Sequence, residues 1–94
     1  MKYIRQIHLD AQVNSPAYIS RIRYSYTVDG PLFEQKCADV VRAIESRISD
    51  YCVTSKRTGE ERPVTVRMSF RGTKCIATTP DDTVYDKLLT LDSF

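Results

Sequence analysis

The chain has 94 residues, 41% of them apolar, enough for one modest hydrophobic core and a single domain over 1–94. Fourteen basic against twelve acidic residues leave a formal charge of +2, too small to demand a nucleic-acid partner by itself, so the placement of the arginines matters more than their number. Apolar residues run along the whole length, which argues against disorder, and no apolar run approaches the ~20 residues of a membrane span.

The opening MKYIRQIHLD has no apolar signal core, so a cytoplasmic setting is expected. Cys37, Cys52 and Cys75 show no CxxC spacing and cannot all pair within one chain, which fits reduced thiols. From Lys2 to Val13 the odd positions carry Tyr3, Ile7, Leu9, Ala11 and Val13, the period-two pattern of a half-buried strand in which Arg5 is the exception. Asn14-Ser15-Pro16 reads as a turn. Alternation resumes from Ala17 to Val28, with Tyr18, Ile22, Tyr24, Tyr26 and Val28 on one face and Ile19, Arg21 and Arg23 on the other. The two strands are expected to form an antiparallel hairpin. Its edge over Lys2 to Asp10 is expected to be free to pair with a second copy, making a homo-oligomer.

Asp29 to Cys52 is the stretch the rest is expected to pack around. Phe33, Cys37, Val40, Val41, Ile44, Ile48 and Tyr51 recur at spacings of three and four, the apolar stripe of a long helix. Pro31 suits its first turn, where a missing N–H costs nothing. TSKRTGEERP, from Thr54 to Pro63, reads as a charged surface loop. Val64, Val66, Met68 and Phe70 then mark the inner face of a third strand. With Gly72-Thr73 as a two-residue turn, Cys75 should fall opposite Phe70 and Ala77 opposite Met68, so that Cys75 is a small core residue. Thr79-Pro80-Asp81-Asp82 has the cap, proline and acids of a helix start, followed by Val84, Tyr85, Leu88, Leu89 and Leu91 as an apolar side. The order strand, strand, helix, strand, strand, helix predicts an α+β two-layer sandwich, a mainly antiparallel sheet with both helices on one face.

Catalytic chemistry finds little footing. His8 is the lone histidine, with no zinc spacing around it and no nucleophile expected on its side of the sheet. Arg71-Gly72-Thr73-Lys74 opens no helix and is no phosphate loop. No enzyme activity, metal or cofactor is therefore expected. The open sheet face is expected to display Arg21, Arg23, Arg67 and Arg71, with Lys2 at its margin, a cationic patch suited to phosphates or to an acidic protein surface. The bland alternative is a solvated face that keeps an exposed sheet from aggregating. Most of the six tyrosines are expected in the core.

From Arg21 onward the chain resembles the DNA-damage-inducible DinI-like proteins of bacteria and phages. The similar features are RIRYSYTVDGPL leading into a helix, the ending ESRISDY, the strand VTVRMSF, a tight hairpin into KCIATTPDD, and a closing helix. The resemblance implies a strand-helix-strand-strand-helix fold without enzymatic activity, in a bacterial or phage-infected cell. It also implies action by gripping other proteins, RecA filaments or, for phage antirepressors, a repressor drawn off its operator. Residues 1–17 add a strand that the short family members lack. The acidic closing helix that the family uses for RecA is reduced here to Asp81, Asp82, Asp86 and Asp92, interrupted by Lys87. The expectation is a regulator that binds a DNA-associated protein through Arg21, Arg23, Arg67, Arg71, Asp81, Asp82 and Asp86. A direct nucleic-acid binder and a RecA-filament modulator are the alternatives.

Overall fold

The computed structural model describes residues 1–10, 16–54, 59–69, 72–78 and 87–94. In chain order these form β1 (Lys2–Leu9), a 3-10 helix (Pro16–Tyr18), β2 (Ile19–Ser25), β3 (Phe33–Lys36), α1 (Cys37–Glu45), β4 (Tyr51–Thr54), β5 (Glu61–Pro63), β6 (Thr65–Met68), β7 (Lys74–Ala77), a second 3-10 helix (Lys87–Thr90) and β8 (Asp92–Ser93). The protein is thus a strand-rich mixture of α and β with a mainly antiparallel sheet. The main sheet runs β3-β2-β1-β4-β5, with β8 also paired to β1, and β6 and β7 make a separate two-stranded sheet.

The hairpin of β1 and β2 forms as expected, but two β-bulges change which residues it buries. Ile4 pairs with Tyr24 and Gln6 with Arg23, which leaves Arg5 as an extra residue in β1. His8 pairs with Arg21 and Leu9 with Ile19, which leaves Ser20 extra in β2. Each extra residue shifts the in-and-out alternation by one position. Ile4 and Ile7 are therefore both 1% exposed, and Ile19 is buried alongside Ile22, although strict alternation places Ile4 and Ile19 on the polar face. A second correction concerns the edge. β1 has β2 on one side and β4 and β8 on the other, so the segment expected to pair with a second copy is interior.

The helix is shorter than its apolar periodicity. Phe33–Lys36 pairs antiparallel with Arg21–Tyr24 as an edge strand, and Tyr51 already belongs to β4. Of the expected stripe, Cys37, Val40 and Val41 are buried, whereas Phe33 is 44% and Ile48 78% exposed. The pairing of β3 satisfies the open edge of β2, and this competes successfully with one more helical turn. At the other end the helix closes in a Schellman motif. Arg47 N–H donates to the Ile44 carbonyl (3.1 Å) and Ile48 N–H to the Ala43 carbonyl (3.0 Å). Arg47 holds φ 56°, a left-handed conformation that disfavours a side chain. Arg47→Gly is therefore expected to raise stability by about 0.5–1 kcal/mol, after the extra chain entropy of glycine is deducted. An unchanged or lowered midpoint in urea unfolding would contradict this cap.

The β6–β7 hairpin pairs Val66 with Ile76, Arg67 with Cys75 and Met68 with Lys74. The expected register, with Ala77 opposite Met68, is off by three positions. Its turn is wider than Gly72-Thr73. Ser69 N–H donates to the Thr73 carbonyl (2.7 Å) and Gly72 N–H to the Ser69 carbonyl (3.0 Å), with Gly72 at φ 76°. Val64 is buried and Val66 packs on the core as expected, but Met68, opposite Lys74 at the end of the strand, is 59% exposed and Arg67 is half-buried. Cys75 remains a core residue, as expected.

Helix α1 packs against β2 and β3 of the main sheet and against both strands of the hairpin, which joins the two sheets. The core cluster gathers Ile4 and Ile7 from β1, Ile19 and Ile22 from β2, Val40 from α1, Tyr51 and Val53 from β4, Val64 just ahead of β6, Ile76 from β7 and Leu88 from the second 3-10 helix. A Lys74–Glu45 ion pair of 2.7 Å ties the hairpin to the helix end. The expected start of a second helix, Thr79 to Asp86, lies outside the described residues, and Lys87–Thr90 beyond it is a 3-10 helix. Among the described residues no helix is long and apolar enough to cross a membrane.

Candidate protein-interaction surface

β3 is an edge of the main sheet, and the chain reaches it through a tight reversal after β2. A Cβ at Gly30 would press on the Thr27 hydroxyl, which would have to turn away. The reversal folds Phe33 back beside Tyr24 and Tyr26. Tyr24 and Tyr26 meet edge to face with ring centroids 5.6 Å apart, Tyr26 and Phe33 at 5.6 Å, and Tyr24 and Phe33 at 5.8 Å. Tyr51 closes the cluster from β4, 6.2 Å from Tyr24, and its hydroxyl donates to Gln35 Oε1 at 2.8 Å. The Lys2 ammonium stands over these rings, 4.9 Å from Tyr24, 5.5 Å from Tyr51 and 5.8 Å from Tyr26, within cation–π range. The hydrogen bond with Tyr26, followed by burial, pushes the Tyr24 hydroxyl up to about 12, so it is a neutral phenol at any physiological pH.

Tyr51 is the buried floor of this corner, while Tyr26, Leu32 and Phe33 are 57%, 40% and 44% exposed. The sequence reading assigned Tyr26 and Phe33 to the interior. The signal that could have placed them outside is Asp29-Gly30-Pro31, a turn too tight to carry both flanks into one core.

The other face of β2 carries Arg21 and Arg23. Both guanidinium groups reach Glu34, at 3.6 and 3.7 Å. Arg23 also donates to Gln6 Oε1 at 3.2 Å and lies 4.0 Å from the centre of the Phe94 ring. The His8 ring meets the same ring at a tilt, with centroids 5.5 Å apart, and its Nδ1 is hydrogen-bonded to the Phe94 carbonyl. Exposed pairs of this type contribute about 0.2–1 kcal/mol each. Arg67 lies in the other sheet, with a guanidinium nitrogen 3.5 Å from the Met68 carbonyl. The expected patch is corrected accordingly. Arg21 and Arg23 come together beside an acid, and Arg67 does not join them. Arg71, Asp81, Asp82 and Asp86 lie outside the described residues.

All three cysteines are buried free thiols. Burial pushes the Cys37 thiol up to about 11, with a backbone contact at Ile76 pulling weakly the other way. Its folded value lies above the ordinary 9.0, so the neutral thiol stabilises the fold fully below pH 9, and this is lost as pH rises toward 11. Burial raises Cys52 in the same direction. Cys37 alone should lower stability by the order of 2 kcal/mol between about pH 9 and pH 11, with Tyr24 adding to the fall from about pH 10, so Cys37→Ala should flatten the part of the slope nearest pH 9 in urea titrations. A variant as steep as the wild type would contradict this assignment. Among the described residues no cluster of three or more His, Cys, Asp or Glu side chains is arranged to hold a metal ion.

Comparison with protein-family models, with curated proteins and with solved structures finds no match to this chain.

Proposed function

We propose that this chain is a small non-enzymatic regulator that docks on a DNA-associated protein, in the manner of a phage antirepressor that sequesters a transcriptional repressor. The observation that carries this reading is the exposed aromatic corner of Tyr26, Leu32 and Phe33 beside the outer edge of β3. Exposed aromatic residues that already rest on a buried floor lose little conformational freedom on binding, which is why they anchor protein interfaces. An edge strand adds backbone donors and acceptors that a partner strand can meet. Glu34 and Lys36, exposed on the other face of the same edge strand, flank that edge with charges of both signs. Binding the repressor's free form draws it away from DNA by mass action, without chemistry.

The resemblance to DinI-like proteins supports the same reading. The two-layer arrangement with a closing helix, the cytoplasmic setting in a bacterial or phage-infected cell, and modulation of a RecA filament as the alternative target belong to this proposal. Direct binding of nucleic acid draws less support, because Arg21 and Arg23 share Glu34 and Arg67 belongs to the other sheet.

The test is affinity capture from host or lysogen extract on immobilised wild-type protein, with a Tyr26→Ala/Phe33→Glu variant as the matched control. A transcription regulator or recombination protein retained by the wild type alone is the expected result. Absence of any such differential protein would overturn the reading.

A further inference from the structure

Along one edge of β1 the sheet divides. β4 runs parallel to β1 at Lys2 and Tyr3, and β8 runs parallel to it at Gln6 and Ile7. Between these two pairings, at Ile4 and Arg5, a cavity of about 310 Å³ opens, with Thr54 at the end of β4 and Leu91 ahead of β8 in its wall. We infer that this cavity is a binding site for a small organic carboxylate with an apolar body.

The residue at the mouth of the division is Arg5, which is also the bulge residue of β1. Bulges re-aim side chains, and here the re-aimed side chain is a half-buried guanidinium. Its one hydrogen bond, to the Ser25 hydroxyl, is long at 3.4 Å, and among the described residues it forms no ion pair. A half-buried cation without a counter-ion is an unmet electrostatic demand. Thr54 lines the same cavity, but its hydroxyl oxygen is sealed from solvent and so is turned away from the open volume. Among the described residues the rest of the lining is Ile4, Val28, Gly59 and Leu91, while the Tyr3 hydroxyl is engaged at 3.4 Å with the exposed Glu61 carboxylate.

A planar carboxylate matches the guanidinium fork, while a hydrocarbon body covers the apolar wall. The volume holds on the order of ten water-sized atoms, the scale of phenylacetate. The site is separate from the aromatic corner, and its test stands or falls independently of any protein partner.

Phenylacetate, phenylacetamide and inorganic phosphate are titrated into the full chain, labelled with 15N, and followed by amide shifts. Phenylacetate is expected to shift Tyr3, Arg5, Thr54 and Leu91 with a Kd of about 1 mM or tighter. Phenylacetamide should bind about tenfold more weakly, since it keeps the shape and loses the charge. Phosphate, without an apolar body, should give no saturable shift there. Arg5→Gln should abolish the preference of acid over amide, whereas Thr54→Val, nearly isosteric and with its hydroxyl sealed from the cavity, should leave that preference intact. Absence of saturation by about 10 mM phenylacetate, equal binding of acid and amide, tight binding of phosphate, or shifts centred elsewhere would each overturn the site. The wild-type titrations decide the matter even if Arg5→Gln does not fold.

Discussion

Replacing Ile22 with alanine is expected to lower the unfolding free energy by about 2–5 kcal/mol. Ile22 is fully buried in β2, paired with Ile7 on one side and Gln35 on the other, and α1 packs against its strand. The truncation removes buried methyl groups at a place where two strand ladders hold the backbone, so the space cannot collapse. A domain of this length has a total stability of about 5–14 kcal/mol, and the loss is therefore a large fraction of it. A fall in melting temperature of about 10–25 °C should follow. In urea the midpoint should drop with an unchanged m-value. Met68→Ala, on the outward face of β6, should stay within about 0.5 kcal/mol of the wild type. Equal effects at the two positions would mean that the β6 register, or the core itself, is wrongly placed.

The second large effect concerns binding. Phe33→Glu is expected to weaken the complex with the captured regulator by about 2–4 kcal/mol, or roughly 30- to 1000-fold in Kd. The substitution removes an aromatic anchor and places a charge in the desolvated centre of the proposed interface, close to Glu34. Its effect on stability should be small, because Phe33 is 44% exposed in an edge strand. Calorimetric titration of the variant, alongside its urea midpoint, separates the two effects. A variant with normal affinity would remove the aromatic corner from the interface.

Much of the strand content was legible because apolar residues recur at period two in the sequence of the segments that become β1, β2 and β6, although burial does not follow that period. What alternation alone could not convey was the pair of bulges. Arg5 already stood out as the charged residue on an apolar face, and Ile4 as an apolar residue on a polar one. Together they are the mark of one inserted residue, and the division of the sheet at that point makes it a candidate site. The helix was legible from Cys37 to Ile44 and over-extended at both ends. Phe33 and Ile48 keep helical spacing by coincidence, while strand pairing at one end and a left-handed Arg47 at the other set the true limits.

The hairpin register failed for a different reason. Gly72-Thr73 is a plausible two-residue turn, but Ser69 and Thr73 close a wider one, which sets Met68 opposite Lys74 at an exposed strand end. The arginine face failed on topology. Nothing in a single chain tells that β6 leaves the main sheet, and nothing foretells that Glu34 of an edge strand comes between Arg21 and Arg23.

The most direct measurement uses labelled operator DNA carrying the regulator that this protein captures, followed by fluorescence anisotropy as the protein is added across a salt series. The expected result is a fall to the anisotropy of free DNA at a fixed stoichiometry, with the protein alone leaving the DNA unchanged even at low salt. A regulator that stays on its operator would contradict the account. So would a protein that binds the DNA itself with a steep salt slope, lowered by about one unit for each arginine removed.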